Sequence, residues 1–111
     1  MIRHIVLFKI KDFSSESERV EAVRNILLTF RSLVGQIPQI RQYRVEPDCI
    51  GGPSCSDVII DSVFDTVEDL KAYQAHPAHS EAVALNRQWS ESKITGDYFF
   101  EDPDATTRNK S

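Results

Sequence analysis

The spacing of apolar and polar positions changes several times along this chain, and each change marks an element. Over residues 2–10, Ile2, His4, Val6, Phe8 and Ile10 fall on one side of an extended run, with Arg3, Ile5, Leu7 and Lys9 on the other. Both sides are apolar in the middle, which predicts a strand covered on both faces. Ser15 followed by Glu18 has capping-box spacing, and Val20, Val23, Ile26, Leu27, Phe30, Leu33 and Val34 then recur at helical intervals. Gly35 and Pro38 supply the stop. Arg19, Glu21, Arg24 and Arg31 read as the solvated side of that helix. Residues 40–45 interleave Arg41, Gln42 and Arg44 with apolar positions and predict a strand near an edge. After a Gly- and Pro-containing loop over 47–56, the β-branched run in 57–64 is the strongest strand signal. Asp65 or Thr66 caps a helix lined by Val67, Leu70 and Tyr73. Ala82, Val83, Leu85 and Trp89 carry a further helical stretch to about residue 90, and residues 93–101 form a last strand.

The element order is β-α-β-β-α-β, the ferredoxin-like arrangement of an α+β domain. A four-stranded antiparallel sheet would carry its helices on one face and leave the other open. That open face holds too much apolar surface to stay in water. Two sheets placed face to face would bury it in a symmetric homodimer, a dimeric α/β barrel. Residues 1–101 make one domain, and the polar residues 102–111 are expected to form a flexible tail.

Composition narrows the partners. The chain has 111 residues, 41% hydrophobic and 27% charged, with a net charge of −4 and no basic cluster. Nucleic-acid binding depends on neutralising phosphates, so it is not expected. No apolar run is long enough to span a membrane, and residues 1–4 lead straight into a strand without a secretory signal. The expected location is the cytoplasm. There Cys49 and Cys55, flanking Gly51-Gly52-Pro53, should stay reduced; they have no companion pair for a zinc site.

The chemistry-bearing stretch is Tyr73-Gln74-Ala75-His76-Pro77-Ala78-His79, which holds two of the three histidines. A residue preceding proline is pushed out of helical geometry, so one helix should stop near Ala75. Pro77 can open the next, with His76 near its cap and His79 in its first turn. The positive end of the helix dipole disfavours an imidazolium there, leaving a neutral base near pH 7. The same corner would serve equally as a capping and packing device.

The strand His4-Ile5-Val6-Leu7-Phe8-Lys9, the segment from Phe64-Asp65-Thr66-Val67-Glu68 to Ala72-Tyr73-Gln74-Ala75-His76-Pro77-Ala78-His79, and Asp97-Tyr98 resemble the stress-responsive A/B barrel domain family. The resemblance spans residues 1 to about 100. It implies a dimeric α+β barrel, and no cofactor is expected. One plant member of the family is a polyketide cyclase that closes a linear tetraketide thioester by aldol condensation. The resemblance places His79 at that enzyme's base, Tyr73 at the phenol that holds its substrate, and His4 at a secondary histidine. A further pocket histidine of the cyclase corresponds to Val58 here.

The residue types suit such chemistry. Abstracting a proton beside a carbonyl needs a neutral base, and the developing enolate needs a donor such as a tyrosine hydroxyl. Asp97 would orient an imidazole. Val6, Phe8, Phe30 and Ile60 are candidate walls of a cavity between the long helix and the sheet, with His4, His76 and Asp97 as further substrate contacts. By default those apolar positions would simply fill a core. Three functions are compatible with this set. The first is a homodimer binding a small hydrophobic or carbonyl-containing metabolite. The second is a cyclase- or lyase-like enzyme with His79 as base and Tyr73 as donor. The third is a haem- or metal-dependent monooxygenase-like barrel, for which no metal-ligand spacing is present.

Overall fold

A computed structural model describes residues 1–101; the expected tail at 102–111 lies outside the described residues. The elements are β1 (Ile2–Ile10), α1 (Glu16–Arg31), β2 (Gln42–Pro47), β3 (Val58–Phe64), α2 (Val67–Ala75), α3 (Pro77–Asn86) and β4 (Ser90–Phe99). The strands form one antiparallel sheet in the order β2-β3-β1-β4. This is the ferredoxin-like topology, with α2 and α3 together making the second crossover.

Burial along β1 alternates strictly. Ile2, His4, Val6, Phe8 and Ile10 are buried, and Arg3, Ile5, Leu7 and Lys9 are half-exposed. The second face, expected to be covered, is therefore uncovered in the single subunit. The register sets who shares each face. His4 lies opposite Ser62 and Asp97, and Val6 opposite Ile60 and Thr95. Side chains directly opposite each other across a sheet point the same way, so these belong to the helix side.

The Ser15 hydroxyl caps α1 by accepting from the Glu18 backbone N–H at 3.2 Å. The reciprocal half of the expected capping box is missing, because the Glu18 carboxylate takes the Ser14 hydroxyl instead, at 3.0 Å. The buried stripe of α1 is Ala22, Ile26 and Phe30, narrower than the apolar spacing indicated; Val20 is 58% exposed. The helix ends at Arg31, before Gly35, which adopts a left-handed φ of 88° in the turns that follow. Those turns fold Leu33 and Ile37 into the core. Arg31 is not merely solvated. Its guanidinium donates to the Val45 carbonyl at 2.9 and 2.7 Å and to Glu46 Oε1 at 2.8 Å, tying α1 to the edge strand β2.

α3 also stops earlier than its apolar spacing indicated. Trp89 lies beyond it, in a turn where the Trp89 N–H donates to the Asn86 carbonyl at 3.0 Å. The Trp89 carbonyl accepts from the Lys11 N–H at 2.9 Å, which draws the chain onto β1 and starts β4 at Ser90.

Candidate functional site

The corner at His76-Pro77 builds the site. Thr66 opens α2 by accepting from the Asp69 N–H at 3.1 Å, and α2 runs until His76, which is extended at φ −66° and ψ 138°. Pro77 occupies the first turn of α3, where its missing N–H costs nothing. The His76 imidazole caps that helix: Nδ1 accepts from the Ala78 N–H at 3.0 Å. This use of Nδ1 assigns the proton of the neutral ring to Nε2. His76 is not among the residues lining the cavity described next, so the expected substrate contact is a structural cap instead.

A cavity of about 280 Å³ opens between the sheet, α1 and α3. Val6, Phe8, Phe30 and Ile60 form its apolar wall, and Tyr73 and His79 also line it. The Phe8 and Phe30 rings pack with centroids 5.2 Å apart, and the Tyr73 and His79 rings lie 4.6 Å apart. Six residues singled out in the sequence thus meet around one space.

His79 is held neutral. Burial lowers its pKa below the ordinary histidine value, and the positive charges of Lys93 and His4 act the same way, against a backbone hydrogen bond to Gln74. The imidazole is therefore a free base near neutral pH.

Tyr73 is buried among Phe64, Tyr43 and His79, and its hydroxyl lies 2.9 Å from that of Tyr43. Burial raises the pKa of both phenols, so each keeps its proton. The pair has two protons and one shared contact. With Tyr43 donating to Tyr73, the Tyr73 proton remains available to a ligand.

His4 and Asp97 meet beside this space without lining it. Cross-strand neighbours in β1 and β4, they join through His4 Nδ1 and Asp97 Oδ1 at 2.5 Å, with His4 only 4% exposed. Asp97 therefore orients His4 rather than His79. The carboxylate accepts from His4 Nδ1–H and so fixes the orientation of the ring. The His4 ring meets the Tyr73 ring edge-on, 6.4 Å between centroids.

The sequence reading missed Tyr43, Val83, Asn86, Arg87 and the start of β4. Val83 and Asn86 follow His79 at intervals of four and three residues, the spacing of one helix face. Lys93 has the same parity as Asp97 on β4, so it points to the helix side, opposite Phe8. These two patterns were available in the sequence. Among the described residues no three His, Cys, Asp or Glu side chains cluster as metal ligands. No described helix is long and apolar enough to cross a membrane.

An antiparallel sheet backed by helices, with a cavity at their seam, defines a ferredoxin-like α+β protein. The chain belongs to the Stress Responsive A/B Barrel Domain (Dabb) family, whose sequence model matches residues 2–100. It is 39% identical over 101 residues to an uncharacterized protein of Streptomyces coelicolor, covering 90% of this chain and 100% of that relative. A dimeric protein of unknown function with a ferredoxin-like fold from Bacteroides fragilis matches with a TM-score of 0.79 and 28% identity, over 89% of this chain and 95% of its own. The hydroxynitrile lyase of Passiflora edulis matches with a TM-score of 0.73 over 91% of this chain and 94% of its own; at 18% identity that likeness concerns the fold.

Proposed function

We propose that the protein is a homodimer, each subunit of which binds a small hydrophobic, carbonyl-bearing metabolite in the cavity between sheet and helices. The observation that carries this reading is the cavity itself: an apolar wall facing one neutral imidazole and one protonated phenol, the makeup of a small-molecule site. The dimer rests on the open face, where Ile5, Leu7, Ile94 and Tyr98 line a shallow depression, and on the Bacteroides fragilis relative being described as dimeric. Calorimetric titration with octan-2-one tests the site. Saturable binding that disappears when Phe30→Trp fills the cavity supports it, and the absence of binding up to millimolar ketone removes it. Sedimentation equilibrium tests the dimer, and a single subunit at micromolar concentration removes that part.

A second reading is favoured by one contact, the 4.6 Å packing of Tyr73 against His79. A neutral imidazole beside a phenol can take a proton from a carbon next to a carbonyl while the phenol hydrogen-bonds the enolate oxygen. In this reading the protein is a lyase- or cyclase-like enzyme. Its signature is protein-dependent exchange of deuterium into octan-2-one next to the carbonyl. His79→Ala should abolish that exchange and keep the binding, whereas exchange at an undiminished rate in the variant would refute the role of His79.

A further inference from the structure

The polar end of the cavity differs in character from its apolar wall. Asn86, Arg87, Ser90, Glu91, Ser92 and Lys93 line it, all from the last turn of α3 and the first residues of β4. Asn86 is 7% exposed, and its Oδ1 accepts from the Ser90 hydroxyl at 2.7 Å. That bond uses the amide oxygen and leaves the NH2 group of this cavity-lining residue as a donor. Lys93 shares the helix side of the sheet with Phe8, the residue directly opposite it and a member of the apolar wall. None of the ion pairs among the described residues involves Arg87, Glu91 or Lys93. Two cations and one carboxylate therefore stand at this end without internal partners. They leave an excess of positive charge in a chain whose net charge is −4. Low-dielectric walls focus such a charge into the cavity. The Lys93 charge also adds to the burial that lowers the pKa of His79.

From this arrangement we infer that the ligand is an anion: an apolar chain or ring bearing a carboxylate, its hydrocarbon against Phe8 and Phe30 and its carboxylate held by Lys93, Arg87 and the Asn86 amide. The inference rests on the cavity being the ligand site and specifies which end of the ligand faces solvent. A neutral ketone would use His79 and Tyr73 but leave the cationic end unmatched, whereas a carboxylate gains charge-assisted hydrogen bonds there. Glu91 at the same end disfavours a second negative charge, so a monoanion fits better than a dianion.

The test compares octanoate with octanamide, which have the same chain and differ in the charge of the head group, by calorimetry on the full-length protein. Octanoate should bind more tightly by roughly five- to tenfold, with an advantage that shrinks as salt is added. Lys93→Met and Arg87→Met, both at exposed positions, should each weaken octanoate more than octanamide and so reduce that advantage. Asn86→Asp, which puts a carboxylate where the amide donates, should weaken octanoate further. Equal binding of the two probes with octan-2-one still bound would overturn the carboxylate assignment and leave the ligand site standing. An octanoate advantage unaffected by Lys93→Met and Arg87→Met together would overturn the assignment of those residues. Failure of all three probes to bind would overturn the ligand site and this inference with it.

Discussion

The two faces of the sheet invert each other. The face under the helices buries polar groups: the His4 ring, Ser62, and the Tyr73 hydroxyl, which meets that of the half-buried Tyr43. The face turned away from the helices exposes apolar ones: Ile94 is 71% exposed, and Ile5 and Leu7 are half-exposed beside it. A sheet serving only to fold would do the reverse on both sides. Polar side chains in a core lower stability unless each is satisfied, and apolar ones in water favour association. Departures from simple patterning concentrate where function lies. On the function proposed above the inner departure serves a site and the outer one a partner, so the faces should respond differently to substitution.

The largest effect belongs to the inner face. Phe30→Ala opens the cavity wall where Phe8 packs, and should cost about 3 to 5 kcal/mol in chemical denaturation. If the loss is under about 1 kcal/mol, the wall is not a packed surface and the contrast weakens. On the outer face, Ile94→Asp should leave the circular dichroism spectrum intact and convert a dimer to a monomer in sedimentation. A dimer that persists would assign association to another surface. Third comes Asp97→Ala, which strips His4 of its partner and should cost about 1 to 3 kcal/mol. Asp97→Asn keeps an acceptor and should cost less; equal losses would mean that the carboxylate charge, and not an acceptor oxygen alone, holds His4.

The smallest effect is in the pH dependence of stability. His79 has a folded pKa below its unfolded value near 6.5. Above that value both states hold it neutral and its contribution is complete. As the pH falls below 6.5 the unfolded chain takes up the proton first, so stability declines toward the lowered folded pKa. His79→Gln should remove this part of the acid slope in melts recorded across that range. An unchanged slope would place His79 in water rather than against Tyr73.

Much of the fold was legible because its signals are local. Ser15, Thr66 and Pro77 open their helices where the residue types indicate, since caps depend on neighbours a few positions away. The ends were harder. α3 stops at Asn86 without a glycine, because a turn and the Lys11–Trp89 hydrogen bond recruit the next residues into the sheet. The last strand begins at Ser90 rather than at Lys93; Ser90-Glu91-Ser92 carry no strand signal because they lie on an edge strand with few neighbours to require apolar side chains. The cavity wall was legible from the alternation of Val6 and Phe8 and the helical position of Phe30. Tyr43 was not, since its meeting with Tyr73 depends on the register of β2 against β3, which an edge position alone does not set.

The one non-helical residue between α2 and α3 has an angular consequence. Along an unbroken helix, six residues advance roughly 600°, so side chains at 73 and 79 would diverge by about 120°. The break at His76 cancels that divergence and turns phenol and imidazole toward the same space. Their convergence is thus stored in the backbone torsions of a single residue, and a one-residue insertion there would scatter the pair while leaving every strand in place.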